Sequence, residues 1–151
     1  MAGSNHNLHL VQVPPDAVIN GESPLQTMWP LVAPLIQKAV DYSEGTTTLE
    51  ETAADLLAKN KQLWVVVADD KTIKAALITS LQRFVTGIQQ ANIILLGGEK
   101  GHLKDILELL PQFESWAKTE GCNRVRFILR KGWAKHLPDY ELVAYVMSRD
   151  L

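Results

Sequence analysis

The sequence has 151 residues, a formal net charge of -2, 46% hydrophobic residues and 21% charged residues. Those values describe a globular chain with length enough for a sizeable core, and the near-neutral charge excludes a general electrostatic grip on nucleic acid. The one cysteine, Cys122, excludes an intrachain disulfide, no apolar run approaches the roughly 20 residues of a membrane span, and no two histidines stand at ligand spacing, so no metal site is expected.

Residues 1–7 are small and polar and are expected to form a flexible N-terminus. They lack the basic-then-apolar order of a signal peptide, which points to a cytoplasmic protein. Residues 8–151 are expected to form one domain. Leu8–Val13 reads as a strand stopped by Pro14-Pro15, and residues 16–27 read as a loop. A first helix is expected from about Trp29-Pro30, with Leu31, Val32, Leu35, Ile36, Ala39 and Val40 at helical spacing. It ends in the turn Tyr42-Ser43-Glu44-Gly45. Thr48-Leu49-Glu50-Glu51 fits a capping box. It opens a second helix to about Lys59, with Leu49, Ala53, Leu56 and Leu57 facing inward.

Leu63–Ala68 is a nearly continuous apolar run, which implies a strand covered on both faces. Asp69-Asp70-Lys71 is a tight turn, residues 72–83 are strand-like, and Gln89–Leu96 completes a meander of antiparallel neighbours. Gly97–Gly101 breaks the pattern. A long helix is expected from His102 to about Glu120, kinked or split by Pro111 and ended by Gly121. Arg124–Leu129 reads as a strand with Val125, Phe127 and Leu129 on one face. Gly132–Leu137 has room for a short helix, and Leu142–Met147 reads as a closing strand. The order is β-α-α-β-β-β-α-β-α-β. It implies an α+β fold: a mainly antiparallel sheet, one parallel step across the long helix, and helices on both faces.

The strand–glycine–helix unit from Ile93 to Leu103 carries the strongest chemical signal. Glycines let a backbone turn sharply and approach a ligand, a helix start offers unpaired N–H groups to a phosphate, and Lys100 adds a positive charge. A plain connecting turn reads the same residues without a ligand. The spacing is neither a P-loop nor a dinucleotide fingerprint.

Gly98-Glu99-Lys100-Gly101-His102-Leu103, followed by Ile106-Leu107, resembles the acyl-CoA loop of the GNAT acyltransferases. That family's pattern is Arg/Gln-x-x-Gly-x-Gly/Ala before an apolar helix. Gly101 matches the central glycine, while Gly98 and Leu103 depart from the two flanking positions. The element order, and the stretches Gly121–Phe127 and Gly132–Glu141, resemble small GNAT-like proteins often encoded by phages. The resemblance implies an N-acyltransferase that uses acetyl-CoA on an amine acceptor. Leu95 and Leu96 would pair with the pantetheine arm, and Gly97, Gly98, Glu99, Lys100, Gly101, His102 and Leu103 would take the pyrophosphate.

No carboxylate stands on Gln89–Leu96 to act as base. Lys135 and His136 lie nearest the family's thiol-protonating tyrosine. His136 is a candidate general base or an exposed helix residue; Tyr140 is a candidate acid or a packing residue. Arg124, Arg126, Arg130 and Lys131 make a basic stretch, read as a solvated strand face plus a turn, or as a phosphate or nucleic-acid contact. Trp29, Trp64, Trp116 and Trp133 are scattered, as core and rim residues usually are. The enzyme reading therefore stands beside a second: a catalytically inactive GNAT-fold protein with a structural role and a protein partner, virion-associated if phage-encoded.

Overall fold

The computed structural model describes residues 8–14, 23–43, 45–99, 101–130, 132–144 and 146–151. The flexible terminus expected over residues 1–7, most of the loop expected over 16–27, and Lys100 and Lys131 lie outside the described residues.

Five strands form one sheet in the order β1-β2-β3-β4-β5. They are β1 (Leu8–Val13), β2 (Gln62–Ala68), β3 (Ile73–Arg83), β4 (Gln89–Gly98) and β5 (Arg124–Phe127). The first four are antiparallel neighbours, and β4 and β5 are parallel. This is the mixed α+β architecture that the hydrophobic pattern predicts. The apolar run in β2 divides between two cores, because successive side chains of a strand point to opposite faces. Leu63 and Val65 join one cluster, and Trp64 and Val66 join the other.

Helix α1 (Pro24–Asp41) and α2 (Leu49–Leu57) cover the first face. Helix α1 begins earlier than the expected Trp29-Pro30. Its start is set by Ser23, whose Oγ accepts from Gln26 N at 3.1 Å while the Gln26 side chain accepts from Ser23 N. That capping box and Pro24 in the first turn outweigh the two internal prolines. Pro30 and Pro34 are both exposed, as are Gln26 and Lys38 on the same i,i+4 stripe. The carbonyls deprived of a partner, those of Gln26 and Pro30, thus belong to residues of the solvent stripe, where an unpaired carbonyl costs least. Thr48 caps α2, accepting from Glu51 N at 3.0 Å. Leu57 does not face inward: it is 62% exposed, and Thr52 is buried instead with its hydroxyl bonded to the Thr48 carbonyl. Thr52 and Leu56 share the buried face at i,i+4 spacing.

The opposite face carries α3 (Leu103–Leu107) and α4 (Leu110–Thr119). The long helix expected from His102 is therefore two helices. Pro111 has no N–H for the Leu107 carbonyl, and the chain breaks at Glu108-Leu109 before restarting with proline in the first turn of α4. Trp64, Phe113 and Trp116 meet there as a ring cluster with centroids 5.0–5.5 Å apart. Gly121, at φ +89°, closes α4. Its N–H bonds to Lys118 O, and that of Cys122 to Ala117 O, which is a complete Schellman motif.

In the C-terminal part, the short helix expected within Gly132–Leu137 is present as a 3-10 turn at Ala134–His136, and one expectation is corrected. The closing strand at Leu142–Met147 does not form: the described residues from Glu141 onward belong to no strand or helix and are exposed.

Candidate functional site: the cleft where two parallel strands part

Strand β4 is longer than its partner β5. Its register with β5 runs from Gln90↔Arg124 to Ile93↔Phe127, with a last bond from Ile128 N to Ile93 O at 3.4 Å. On its other edge β4 stays paired with β3 as far as Ala75↔Gly98. From Ile94 to Gly98 the edge facing away from β3 thus has no strand partner among the described residues.

The strands part at an irregularity in β4. Ile78 opposes Leu95 and Thr79 opposes Ile93, so Ile94 is an extra residue without an opposite number. A bulge of this kind bends its strand and frees backbone groups from the ladder. The packing records the slip: Ile94 and Leu95 both lie against the α1 face, while Ile93 and Leu96 lie against the α3–α4 face.

Beside the open edge is a cleft of about 220 Å³ lined by Leu96, Gly98, Glu99, Gly101, Leu103, Ile106, Arg130 and Trp133. The structure brings five of the loop residues expected from the sequence to this cleft: Leu96, Gly98, Glu99, Gly101 and Leu103. Leu95 and Gly97 are turned elsewhere. Leu95 packs in the α1 core. Gly97 belongs to β4, not to a loop, and a Cβ on it would lie 1.8 Å from Leu35 O. Its missing side chain serves the close approach of α1 to the sheet. Gly101 is different: it has φ +89°, and a Cβ on it would meet nothing within 4 Å. It is needed for the turn, and it leaves open space beside the cleft.

The charges are mixed. Glu99 Oε2 lies 3.4 Å from Lys74 Nζ and 3.8 Å from His102 Nε2. Arg130 supplies a cation on the opposite wall. Its guanidinium carbon is 3.4 Å from the centroid of the Tyr42 ring and 4.9 Å from that of Trp133. One ring comes from the end of α1 and the other from the turn after β5. The guanidinium thus stands within cation–π reach of two rings. Trp133 is itself set edge-on against Phe127.

His136 and Tyr140 are held as follows. His136 ends the 3-10 turn, with its backbone N–H bonded to Trp133 O. Tyr140 packs on the α3–α4 core and donates from its hydroxyl to Glu114 Oε2 at 2.7 Å. Burial and the carboxylate beside it push the Tyr140 phenol well above the ordinary tyrosine range. Neither residue lines the cleft. No sequence signal marks Tyr42, which reaches Arg130 only through the fold, and Trp133 stands out from the other tryptophans only by its place on the wall. No group of three or more histidine, cysteine or acidic residues could hold a metal ion among the described residues.

No family model matches this sequence, and no curated protein sequence matches it. Solved structures do. An aminoglycoside acetyltransferase from an uncultured soil metagenomic sample superposes with a TM-score of 0.65 at 12% identity, covering 97% of each chain. A GNAT family acetyltransferase of Staphylococcus aureus gives a TM-score of 0.58 at 11% identity, covering 96% of this chain and 99% of the other. A protein of Bacillus halodurans gives 0.64 at 12% identity, covering 95% and 99%. With its four antiparallel strands, the parallel fifth and the parting of β4 from β5, this chain has the fold of the GNAT acetyltransferases.

Proposed function

We propose that this chain is an acyl-CoA-dependent N-acyltransferase that holds acetyl-CoA along the open edge of β4. The parting of β4 from β5 at Ile93 carries the proposal. Unpaired backbone N–H and C=O groups at Ile94–Gly98 offer an amide-bearing arm the partners that an added strand would have. The cleft volume of about 220 Å³ suits a slender chain better than a nucleotide.

The fit of the residues to the cofactor is uneven along its length. Leu95 and Leu96 offer backbone groups beside the bulge, and Leu103 and Ile106 offer an apolar wall. Gly98 and Gly101 leave room for a backbone approach, and Arg130 would meet a phosphate. Glu99 opposes an anion, and its neighbours Lys74 and His102 offset that charge. Helix α3 has five residues, so its dipole contributes little. Gly97 drops out of the proposed contacts because it faces Leu35, and His102 remains as a flanking donor.

Bound acetyl-CoA would supply an activated acyl thioester open to direct attack by an amine. The chain's part is to position it, exclude water with Leu96, Leu103, Ile106 and Trp133, and offer a freed N–H of the Ile94–Leu95 bulge to a developing oxyanion. His136 and Tyr140 are not among the residues lining the cleft, and this reading gives them no role.

A specific observation also favours the catalytically inactive reading. Glu99, the one acidic side chain among the described residues lining the cleft, is already within reach of Lys74 and His102, and the Tyr140 hydroxyl is committed to Glu114. In that case the fold serves a structural or protein-binding role, and virion association belongs to this second reading. Calorimetric titration with acetyl-CoA, followed by a turnover assay across primary amines, separates the two. Binding with acyl transfer supports the enzyme. Binding without transfer supports the inactive reading. Absence of binding at millimolar acetyl-CoA removes the cofactor from both.

A further inference from the structure

The sheet face turned towards α1 changes character along β3 and β4. Ala76, Ile78 and Leu95 on that face belong to the α1 core. Towards the far end of β3 it becomes polar. Ala91, Ile93, Val125 and Phe127 take the α3–α4 side, so alternation puts Gln90, Asn92, Arg124 and Arg126 on the α1 side, next to Ser80 and Gln82 of β3. These side chains order one another. Arg124 Nε donates to Gln90 Oε1 at 2.6 Å, and the Gln90 amide donates to Asn92 Oδ1. Asn92 Nδ2 donates to Ser80 Oγ at 3.2 Å and to Gln82 Oε1 at 3.3 Å. Arg124 also lies over the Phe84 ring, 5.7 Å from its centroid. Arg126 stands opposite Asn92 and is half-buried, yet its side chain has no hydrogen-bond or ion-pair partner among the described residues. Strands β3, β4 and β5 carry Lys74, Arg83, Arg124 and Arg126 and no acidic residue.

We propose that the acceptor of the acyl transfer is a small amine that bears its own anionic group, a carboxylate or a phosphate, and that Arg126 holds that group. The assignment rests on the acyl-CoA reading of the cleft. Leu96, Leu103 and Ile106 in the cleft wall belong to the α3–α4 side. The thioester therefore reaches the gap from there, and the α1 side is left to the amine. Arg126 lies two positions before Ile94 in the register, roughly 7 Å along the strand. That separation suits a molecule whose amine and anion are a few bonds apart. A guanidinium free to make paired bonds fits a planar carboxylate or a phosphate. The same positive face repels a polycationic acceptor, and no carboxylate on these strands draws one in. In the transfer the amine nitrogen bonds to the thioester carbonyl carbon, the C–S bond breaks, and the proton lost by the amine leaves with the CoA thiol.

The test compares amino acids and phosphoethanolamine with the matching amino acid amides and spermidine as acceptors. An anionic amine should give a kcat/KM at least tenfold above its neutral amide, and the better of the two anionic classes tells carboxylate from phosphate. Arg126→Gln should cut that ratio to about threefold or less. Arg83→Gln, which removes the same charge from the opposite face, should keep it. A second readout needs no acetyl-CoA. Millimolar acetate or inorganic phosphate should move the Arg126 Nε signal in the nitrogen-15 spectrum further than that of Arg83, with Arg126→Lys assigning the signal. This arm decides if Arg126→Gln does not fold. Equal rates on amides, a preference for spermidine, a ratio unchanged in Arg126→Gln, or an Arg126 signal indifferent to both anions overturns the acceptor assignment and leaves the acyltransferase reading standing. Failure of acetyl-CoA itself to bind overturns both, and calorimetry with acetyl-CoA alone identifies that case.

Discussion

Gly97 on β4 and Leu35 on α1 meet so closely that a Cβ on Gly97 would lie 1.8 Å from the Leu35 carbonyl oxygen and 2.6 Å from its carbon. The contact is backbone to backbone, so no rotamer change relieves it. Gly97→Ala should therefore push α1 off the sheet and cost about 3 kcal/mol or more, read as a lower midpoint in urea denaturation. Gly101→Ala provides the contrast. Open space surrounds that position, and only the positive φ is strained, which costs about 1–2 kcal/mol. Equal losses at the two sites would refute this division between a packing glycine and a turn glycine.

That pair also shows why a glycine run is only partly legible. Gly97, Gly98 and Gly101 look alike as residue types. Which of them is crowded by a helix from the other end of the chain depends on where α1 lands, and no local pattern carries that. Pro30 misleads in the same way: it suggests a helix start at Trp29-Pro30, and the Ser23–Gln26 capping box with a solvent-facing proline stripe sets that start at Pro24.

Arg130 on the wall of the cleft makes cation–π contacts with both Tyr42 and Trp133. If acetyl-CoA binds there, Arg130→Ala should weaken it about tenfold, equivalent to ~1.4 kcal/mol. Arg130→Lys should not restore it, since an ammonium lacks the planar face that stacks on both rings. Tyr42→Ala should reproduce part of the loss by releasing the guanidinium. Unchanged affinity in Arg130→Ala, measured by calorimetry, would remove this residue from the site.

Tyr140→Phe should cost about 1.5 kcal/mol at neutral pH by deleting a hydrogen bond to a carboxylate. The pH dependence has a definite sign. Burial and the bond to Glu114 raise the folded-state pKa of the phenol above its unfolded value near 10. Its contribution is thus complete below about pH 10 and fades as pH rises toward the folded-state value. The unaltered protein should lose stability in that alkaline range faster than Tyr140→Phe does. Parallel stability curves for the two proteins above pH 10 would contradict it.

Trp64 Nε1 donates to Thr79 Oγ1 at 3.0 Å, and the Thr79 hydroxyl donates to Gln62 Oε1 at 2.9 Å. Thr79 is fully buried beside the β4 bulge. Thr79→Val keeps the shape and strands two polar groups, so a loss of about 1–3 kcal/mol is expected. Thermal unfolding followed by tryptophan fluorescence measures it, and a neutral result would mean that the indole finds another acceptor.

Much of the architecture is written locally in this sequence. The apolar run at Leu63–Val67 foretells a strand covered on both faces, Thr48 marks a helix start, and Gly121 marks a helix end with its Schellman bonds. Each depends on contacts within a few residues or on the two-fold alternation of a strand, so composition and spacing suffice. The cleft is another matter. It exists because Ile94 is one residue too many for its partner β3 and because β5 stops pairing at Ile93, and it is closed on one side by Arg130 reaching Tyr42. Register and inter-element contacts are set by the packing of the whole molecule against one sheet. The sequence by itself thus determined the elements and their order, and only the tertiary structure decided where two parallel strands part and which residues face the gap between them.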